Sequence, residues 1–361
     1  MWTGRRRNIA DSRDIPPPLV LILVVALLLG ACAAPRLQAP GDISVTPRLY
    51  ENHAVMEDGY RLPLGHWLPD GRPLAVVLAL HGFNDYHQAF AIVGEKLARH
   101  GMALYAYDQR GFGATAGRGL WHGTARLAED ARTLVFLLRR RYPGIPLYLM
   151  GESMGGAVAI VALTAVDAPP VAGAVLIAPA VWARNTMPWY QRLSLWLGAH
   201  IMPATRLTGA SLKIRASDNE AMLRRLGEDP LVIHASRIDT LHGLADLMDR
   251  ALAAAPRLTT PSLILYGLND QVIPRKPVCR LLMKLPPQAP WRFVLYPQGY
   301  HMLTRDLDGA RVVQDIMAWL EDPAASLPSG NERPRERLAQ QVNPHCEPLW
   351  HTAMEGLRKT G

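Results

Sequence analysis

The sequence predicts an α/β protein with a mostly parallel central sheet, helices on both faces and an inserted helical segment. Three observations lead there. Short segments that are apolar along their whole length alternate with helix-period stretches, the pattern of strands buried on both faces. One such strand runs into a serine set between glycines, directly ahead of a small-residue helix. And the stretch from Val181 to Ala254 breaks the alternation with helices but no clear strand.

In chain order, "VMEDGYRLPLGHWLPDG" (residues 55–71) reads as an antiparallel hairpin. "LAVVLAL" (Leu74–Leu80) is a strand, Tyr86 to His100 a helix with an apolar stripe, and "MALYAYD" (Met102–Asp108) a strand. Leu127 to Tyr142 is the next helix, followed by the strand "IPLYLM" (Ile145–Met150) and the helix Ala157 to Ala165. "GAVLIAP" (Gly173–Pro179), "SLILYG" (Ser262–Gly267) and "WRFVLYP" (Trp291–Pro297) supply three more strands. Helices at Pro277–Leu285 and Gly309–Leu320 complete the set.

Both ends differ from this middle. Arg5, Arg6 and Arg7 precede the apolar run "LVLILVVALLL" (Leu19–Leu29), which is short for a bilayer span, and then "LGAC" ends at Cys32. That order resembles a bacterial lipoprotein signal, cut before a cysteine that receives lipid. An uncleaved anchor, or a plain signal cut near Ala34, stays open. All three readings place the domain outside the cytoplasm. The lipoprotein reading makes the membrane a partner through lipidated Cys32, in a bacterial envelope, on the outer membrane if that envelope is Gram-negative. From Asp322 onward proline, glycine and charge interrupt any apolar period, which predicts a flexible tail. The expected layout is a signal at 1–31, a linker at 32–42, the folded domain at 43–321 with its cap at about 181–254, and a tail at 322–361. Apart from Cys32, the only cysteines are Cys279 and Cys346. Their pairing is open in an oxidising space and not required by the fold.

The net charge of +8 is spread along the chain, with no basic stripe interleaved with aromatics. Nothing in it points to nucleic acid. The oligomeric state is not legible.

The chemistry starts at "GESMGG". A strand that becomes a helix at one residue is sterically tight, and Gly151 and Gly155 remove β-carbons from that turn. The Ser153 hydroxyl is then lifted to the mouth of a helix N-terminus, a nucleophile elbow if the chain supplies a base and an acid. Such groups belong in loops beyond the carboxyl ends of strands. "LILYGLNDQVIP" puts Asp270 after one late strand and "FVLYPQGYHML" puts His301 after the next. Of the twelve histidines, His234 and His242 lie in the insertion and His345 and His351 in the tail, none after a late strand. The candidates run Ser153, Asp270, His301 along the chain, and Asp306 and Asp308 follow His301, out of that order. An oxyanion needs fixed N–H donors. Met154, next to the serine, and Phe83, in the "HGFND" loop after an early strand, are the expected ones. "YDQRGFGAT" (Tyr107–Thr115) has glycines too closely spaced for a dinucleotide loop and no P-loop lysine, so it reads as a structural turn with an internal Asp–Arg interaction. The insertion carries Trp189, Tyr190, Leu193, Leu195, Trp196 and Leu197. These either pack the insertion onto the sheet or line an acyl pocket beneath a lid.

Taken together, "HGFND", "YDQRGFG", "GESMGG", "LYGLNDQVIP" and "GYHML" resemble the monoglyceride lipase and lysophospholipase branch of the α/β-hydrolases, over about residues 50–320. The resemblance implies the α/β-hydrolase fold with a helical cap, and Ser153, Asp270 and His301 as a catalytic triad. It implies Phe83 and Met154 as oxyanion donors, and no metal or organic cofactor. The expected activity is hydrolysis of carboxylic esters of single-chain lipids, monoacylglycerol or lysophospholipid, through an acyl-enzyme. Family members often carry small residues or a glutamate-histidine pair after His-Gly, where this chain has Phe83, Asn84 and Asp85. That difference bears on the acyl-entry loop and on substrate choice. An amidase or aminopeptidase on the same scaffold and a non-catalytic lipid-binding protein are the rival readings. Epoxide hydrolases and dehalogenases place aspartate at the elbow, where this chain has Ser153.

Overall fold

A computed structural model describes residues 35, 37–39, 41, 43–209 and 214–334. The signal segment 1–31, Cys32 and the chain beyond Pro334, with Cys346, lie outside the described residues.

The first strands, β1 (Arg48–Leu49), β2 (His53–Val55) and β3 (Arg61–Trp67), pair antiparallel in sequence. Then follow β4 (Ala75–Leu80), helix α1 (Ala91–Arg99), β5 (Met102–Tyr107), α2 (Thr124–Arg141), β6 (Leu147–Glu152), α3 (Met154–Leu163) and β7 (Gly173–Ile177). The insertion holds α4 (Trp189–Ile201), β8 (Arg206–Thr208), α5 (Glu220–Glu228), β9 (Ala235–Arg237) and α6 (Ile238–Ala254). The described residues close with β10 (Ser262–Gly267), α7 (Arg275–Lys284), β11 (Trp291–Tyr296), α8 (Gly309–Glu321) and β12 (Glu332–Arg333).

Among the described residues ten strands form one sheet in the order β1-β2-β3-β5-β4-β6-β7-β10-β11-β12. From β5 to β11 every neighbouring pair is parallel, and both flanks are antiparallel. The largely apolar sequence of the inner strands follows from this position. Along β4, Val76, Leu78 and Leu80 face a core closed by α2, α3, α6 and α7. Ala75, Val77 and Ala79 face a second core closed by α1 and α8, where Trp319 is buried. A side chain such as Leu78, fully buried, contributes about 1.5–3 kcal/mol.

Three expectations are corrected here. The insertion is not purely helical: β8 and β9 pair as a two-stranded antiparallel sheet, with Leu207 opposite Ser236. At three residues each, these strands are too short to leave a period in the sequence. The fold also does not end at 321. Glu332 and Arg333 add β12 to the sheet edge, antiparallel to β11. Arg292 holds Glu332 through two charged hydrogen bonds, Nε to Oε1 at 2.8 Å and Nη2 to Oε2 at 2.5 Å. It also donates to the Pro323 and Ala325 carbonyls, while Leu327 enters the second core. Long-range ionic pairing, not hydrophobic periodicity, fixes this segment. Finally, the turn after β5 has no internal Asp–Arg pair. Asp108 accepts hydrogen bonds from His87 and from the Ala114 N–H. Arg110 instead reaches Asp58 and Asp130 with 2.6–2.9 Å bonds and stacks 4.2 Å over Tyr60, so the turn is tied to the early hairpin and to α2.

Candidate active site

Four loops at the carboxyl ends of β4, β6, β10 and β11 carry the residues that the sequence picks out. Ser153 stands between β6 and α3 at φ 52°, ψ −114°, backbone that L-residues adopt only under strain. Its N–H donates to Ile177 at 2.9 Å, and its carbonyl accepts from Ala157 and Ala180. Neighbouring strand and helix therefore hold the unfavourable turn in place. Gly151 and Gly155 are required here. A β-carbon at Gly155 would fall on the Leu80 carbonyl, and one at Gly151 on the Gly155 carbonyl. Met154 is the first residue of α3, so its N–H has no intrahelical acceptor and points out of the helix mouth.

The loop after β4 comes against this turn. The β-carbon position of Gly82 is 3.5 Å from the Ser153 β-carbon. Asp85 N–H closes a turn onto the Gly82 carbonyl, with Phe83 and Asn84 between them and Asn84 at φ 68°. His81 fixes the plane of the Gly82–Phe83 peptide. Its Nε2 accepts from the Gln109 N–H at 2.9 Å, so the proton sits on Nδ1, which donates to the Gly82 carbonyl at 2.7 Å. The Phe83 N–H belongs to that same peptide and is directed to its opposite side. Burial pushes the His81 imidazole below its ordinary pKa, as a neutral ring requires.

Asp270 and His301 meet across β10 and β11. His301 Nδ1 donates to Asp270 Oδ2 at 2.8 Å, and both side chains are buried. The other carboxylate oxygen accepts from the Val272 and Ile273 N–H groups at 2.8 and 2.9 Å, which locks its orientation. Burial on its own would lower the His301 pKa. The Asp270 charge and hydrogen bond outweigh it and raise the pKa above 6.5. An imidazole held this way presents its other nitrogen as a base whose cation is stabilised, the arrangement that activates a serine hydroxyl.

The insertion is stitched to these loops. The Ala216 carbonyl accepts from the His301 and Met302 N–H groups, and Ile233 N–H donates to the Asn84 carbonyl. Asn84 Nδ2 donates to Ser236 Oγ, and the Tyr86 hydroxyl donates to Asp229. On α4 itself, Leu195 packs toward the first core, whereas Trp189, Tyr190, Leu193, Trp196 and Leu197 face solvent.

One functional group escapes the sequence reading. Arg305, buried, donates from Nη1 to Asp85 and from Nη2 to Glu152, each at 2.7 Å. Glu152 immediately precedes Ser153 and stands in a strand that is otherwise apolar. An acid in such a place needs a cation, which is the signal that points to a buried partner.

Residues 71–308 match the family model described as serine aminopeptidase, S33. The human monoglyceride lipase is 29% identical over 281 residues, covering 76% of this chain and 91% of the human protein. The monoacylglycerol lipase of Mycolicibacterium smegmatis is 28% identical over 268 residues, covering 73% and 93%. Among solved structures, a soluble variant of the Saccharomyces cerevisiae monoglyceride lipase, in complex with a substrate analog, superposes with a TM-score of 0.63 at 21% identity. It covers 80% of this chain and all of that one. The monoacylglycerol lipase of Paleococcus ferrophilus superposes at 0.59 and 23% identity, covering 72% and 98%. The structural likenesses speak to the fold; the match of the family model, over most of the sheet and the whole cap, shows that the chain belongs to the serine aminopeptidase S33 family of α/β-hydrolases.

Proposed function

We propose that the protein hydrolyses the ester of a single-chain lipid, with monoacylglycerol as the favoured substrate, through Ser153, His301 and Asp270. The observation that carries this reading is the buried 2.8 Å contact between His301 Nδ1 and Asp270 Oδ2, beside an elbow that strains Ser153. The monoacylglycerol preference draws on the names of the curated relatives. In the proposed reaction Ser153 Oγ bonds to the ester carbonyl carbon as its proton passes to His301 Nε2. The carbonyl oxygen becomes an oxyanion between the Phe83 and Met154 N–H groups. His301 returns the proton to the departing alcohol oxygen as the C–O bond breaks, leaving an acyl-Ser153. Water then attacks the acyl carbon, gives a proton to His301, and releases the fatty acid as Ser153 recovers its hydrogen. Asp270 orients the ring and stabilises the imidazolium.

An exposed apolar row on α4, from Trp189 to Leu197, fits a cap that meets lipid. No described helix is long and apolar enough to cross a membrane. Export and anchoring through lipidated Cys32 are part of the proposal. The buried Cys279 is disulfide-bonded, which supports an oxidising compartment.

The test compares hydrolysis of monoacylglycerol and lysophosphatidylcholine by the protein lacking residues 1–32, with Ser153→Ala beside it. Faster turnover of monoacylglycerol, abolished in the variant, supports the reading. Faster turnover of the phospholipid makes the protein a lysophospholipase. No turnover of either ester, or activity that survives Ser153→Ala, overturns it in favour of an amidase or a lipid-binding protein.

A further inference from the structure

We infer that Arg305 is a positioning residue that holds the oxyanion loop, the nucleophile elbow and the histidine loop in register. The inference rests on the triad reading above and goes beyond it. Three chain segments that are remote in sequence converge on one guanidinium. Asp85 lies two residues beyond Phe83, Glu152 lies directly before Ser153, and Arg305 lies four residues beyond His301. Arg305 spends one terminal nitrogen on each carboxylate, both at 2.7 Å, and all three side chains are buried. Its own backbone is held from the cap, where Asn219 Nδ2 donates to the Arg305 carbonyl at 3.0 Å.

The bridge is geometrically demanding. A planar fork fixes the angle between its two partners, and a flexible ammonium does not. Its two bonds set how far Phe83 N–H stands from Ser153 and from His301, with one residue of intervening chain on the Asp85 side, none on the Glu152 side and three on its own. Among the described residues Glu152 Oε2 and Arg305 Nε have no hydrogen-bond partner. A buried ion pair left partly unsatisfied is a poor device for stability alone. Its place at the junction of three functional loops gives it another use.

The same charges act on His301. Burial pulls its pKa down, the Asp270 charge and hydrogen bond raise it, Glu152 adds to that rise and Arg305 subtracts from it. Asp85 pairs with the far side of Arg305, and Asp306, close to Glu152, is held by Ser217 and the Tyr300 N–H. Removing the Glu152 charge therefore lowers the pKa of the base without touching the base.

The experiment measures kcat, KM, the pH profile of kcat/KM and the thermal midpoint for the parent, Arg305→Lys and Glu152→Gln, on a soluble monoacylglycerol. Misplacement by about 1 Å costs about a hundredfold in rate. Arg305→Lys is expected to lose about ten- to a hundredfold in kcat, with KM within about twofold and a folded protein. Glu152→Gln keeps an acceptor for Nη2 and is expected to move the acid limb of the profile to lower pH. Variants within about twofold of the parent in kcat, with an unmoved acid limb, overturn the inference while leaving the triad reading intact. So does a loss of kcat that tracks loss of folded protein in both variants. A parent that hydrolyses no ester overturns both readings together.

Discussion

His301 Nδ1 and Asp270 Oδ2 lie 2.8 Å apart, although 31 residues and a whole helix-strand unit separate them in the chain. Parallel pairing of β10 with β11, Gly267 opposite Tyr296, brings the two loops to the same end of the sheet. Two backbone N–H groups then spend the other carboxylate oxygen. The carboxylate therefore has one free task, to hold the imidazole.

Replacing that carboxylate with an amide tests the task directly. Asp270→Asn keeps the shape and loses the charge, and it favours the wrong imidazole tautomer. Esterase kcat is expected to fall by about three to four orders of magnitude with KM little changed. Steady-state kinetics on a short-chain ester checks it.

The raised His301 pKa makes activity and stability move in opposite directions with pH. In the proposed reaction the neutral ring is the base, so kcat/KM is expected to rise as pH passes through a folded pKa above 6.5. A histidine whose folded pKa is raised contributes stability that is fully present below the unfolded value and is lost as pH climbs through the folded one. The thermal midpoint of the parent should accordingly exceed that of His301→Gln by a margin that shrinks over the window in which activity appears. Melting curves and rate profiles taken in the same buffers show whether the two limbs coincide.

The elbow tolerates no β-carbon at Gly155, where backbone of β4 stands in the way. Gly155→Ala is expected to cost at least about 1–3 kcal/mol by overpacking and to displace Ser153 with it. Gly227→Ala, in α5 with open space around it, should be neutral or stabilising by up to about 1 kcal/mol. Urea denaturation of both variants provides the contrast.

Arg110 sits fully buried between two acids that feel it differently. Burial works to raise the pKa of Asp58, and the Arg110 hydrogen bonds and charge outweigh it, to about 2. Burial raises the Asp130 pKa to about 6 despite the same guanidinium. Arg110→Met strands both carboxylates and is expected to destabilise by about 3–5 kcal/mol at neutral pH. Arg110 holds the Asp130 pKa down, so without it Asp130 takes up its proton at a higher pH than in the parent and the loss should ease by pH 5; denaturation at the two pH values checks this.

Much of the sheet is legible in the sequence because buried parallel strands carry an uninterrupted apolar signal, as "LAVVLAL" and "SLILYG" do. The turn at Ser153 is legible because steric crowding demands glycine on both sides. Asp270 and His301 stand out by position, one loop apart after consecutive strands. What the sequence hides is pairing at a distance. Glu332 on Arg292, Arg110 on Asp58 and Asp130, and Arg305 on Asp85 and Glu152 are ionic contacts with no periodicity. A lone charge in an apolar strand, such as Glu152, announces that a partner exists and not which one. The three-residue strands of the cap fall below the length at which alternation can be read.

Intact-protein mass spectrometry after reaction with a fluorophosphonate, followed by peptide mapping, tests the central claim most directly. An activated serine alone reacts quickly with such a probe. The account predicts one adduct per chain, on Ser153, that forms in the parent and is lost in His301→Gln. An adduct on another residue, or none in a protein that still hydrolyses monoacylglycerol, would contradict it.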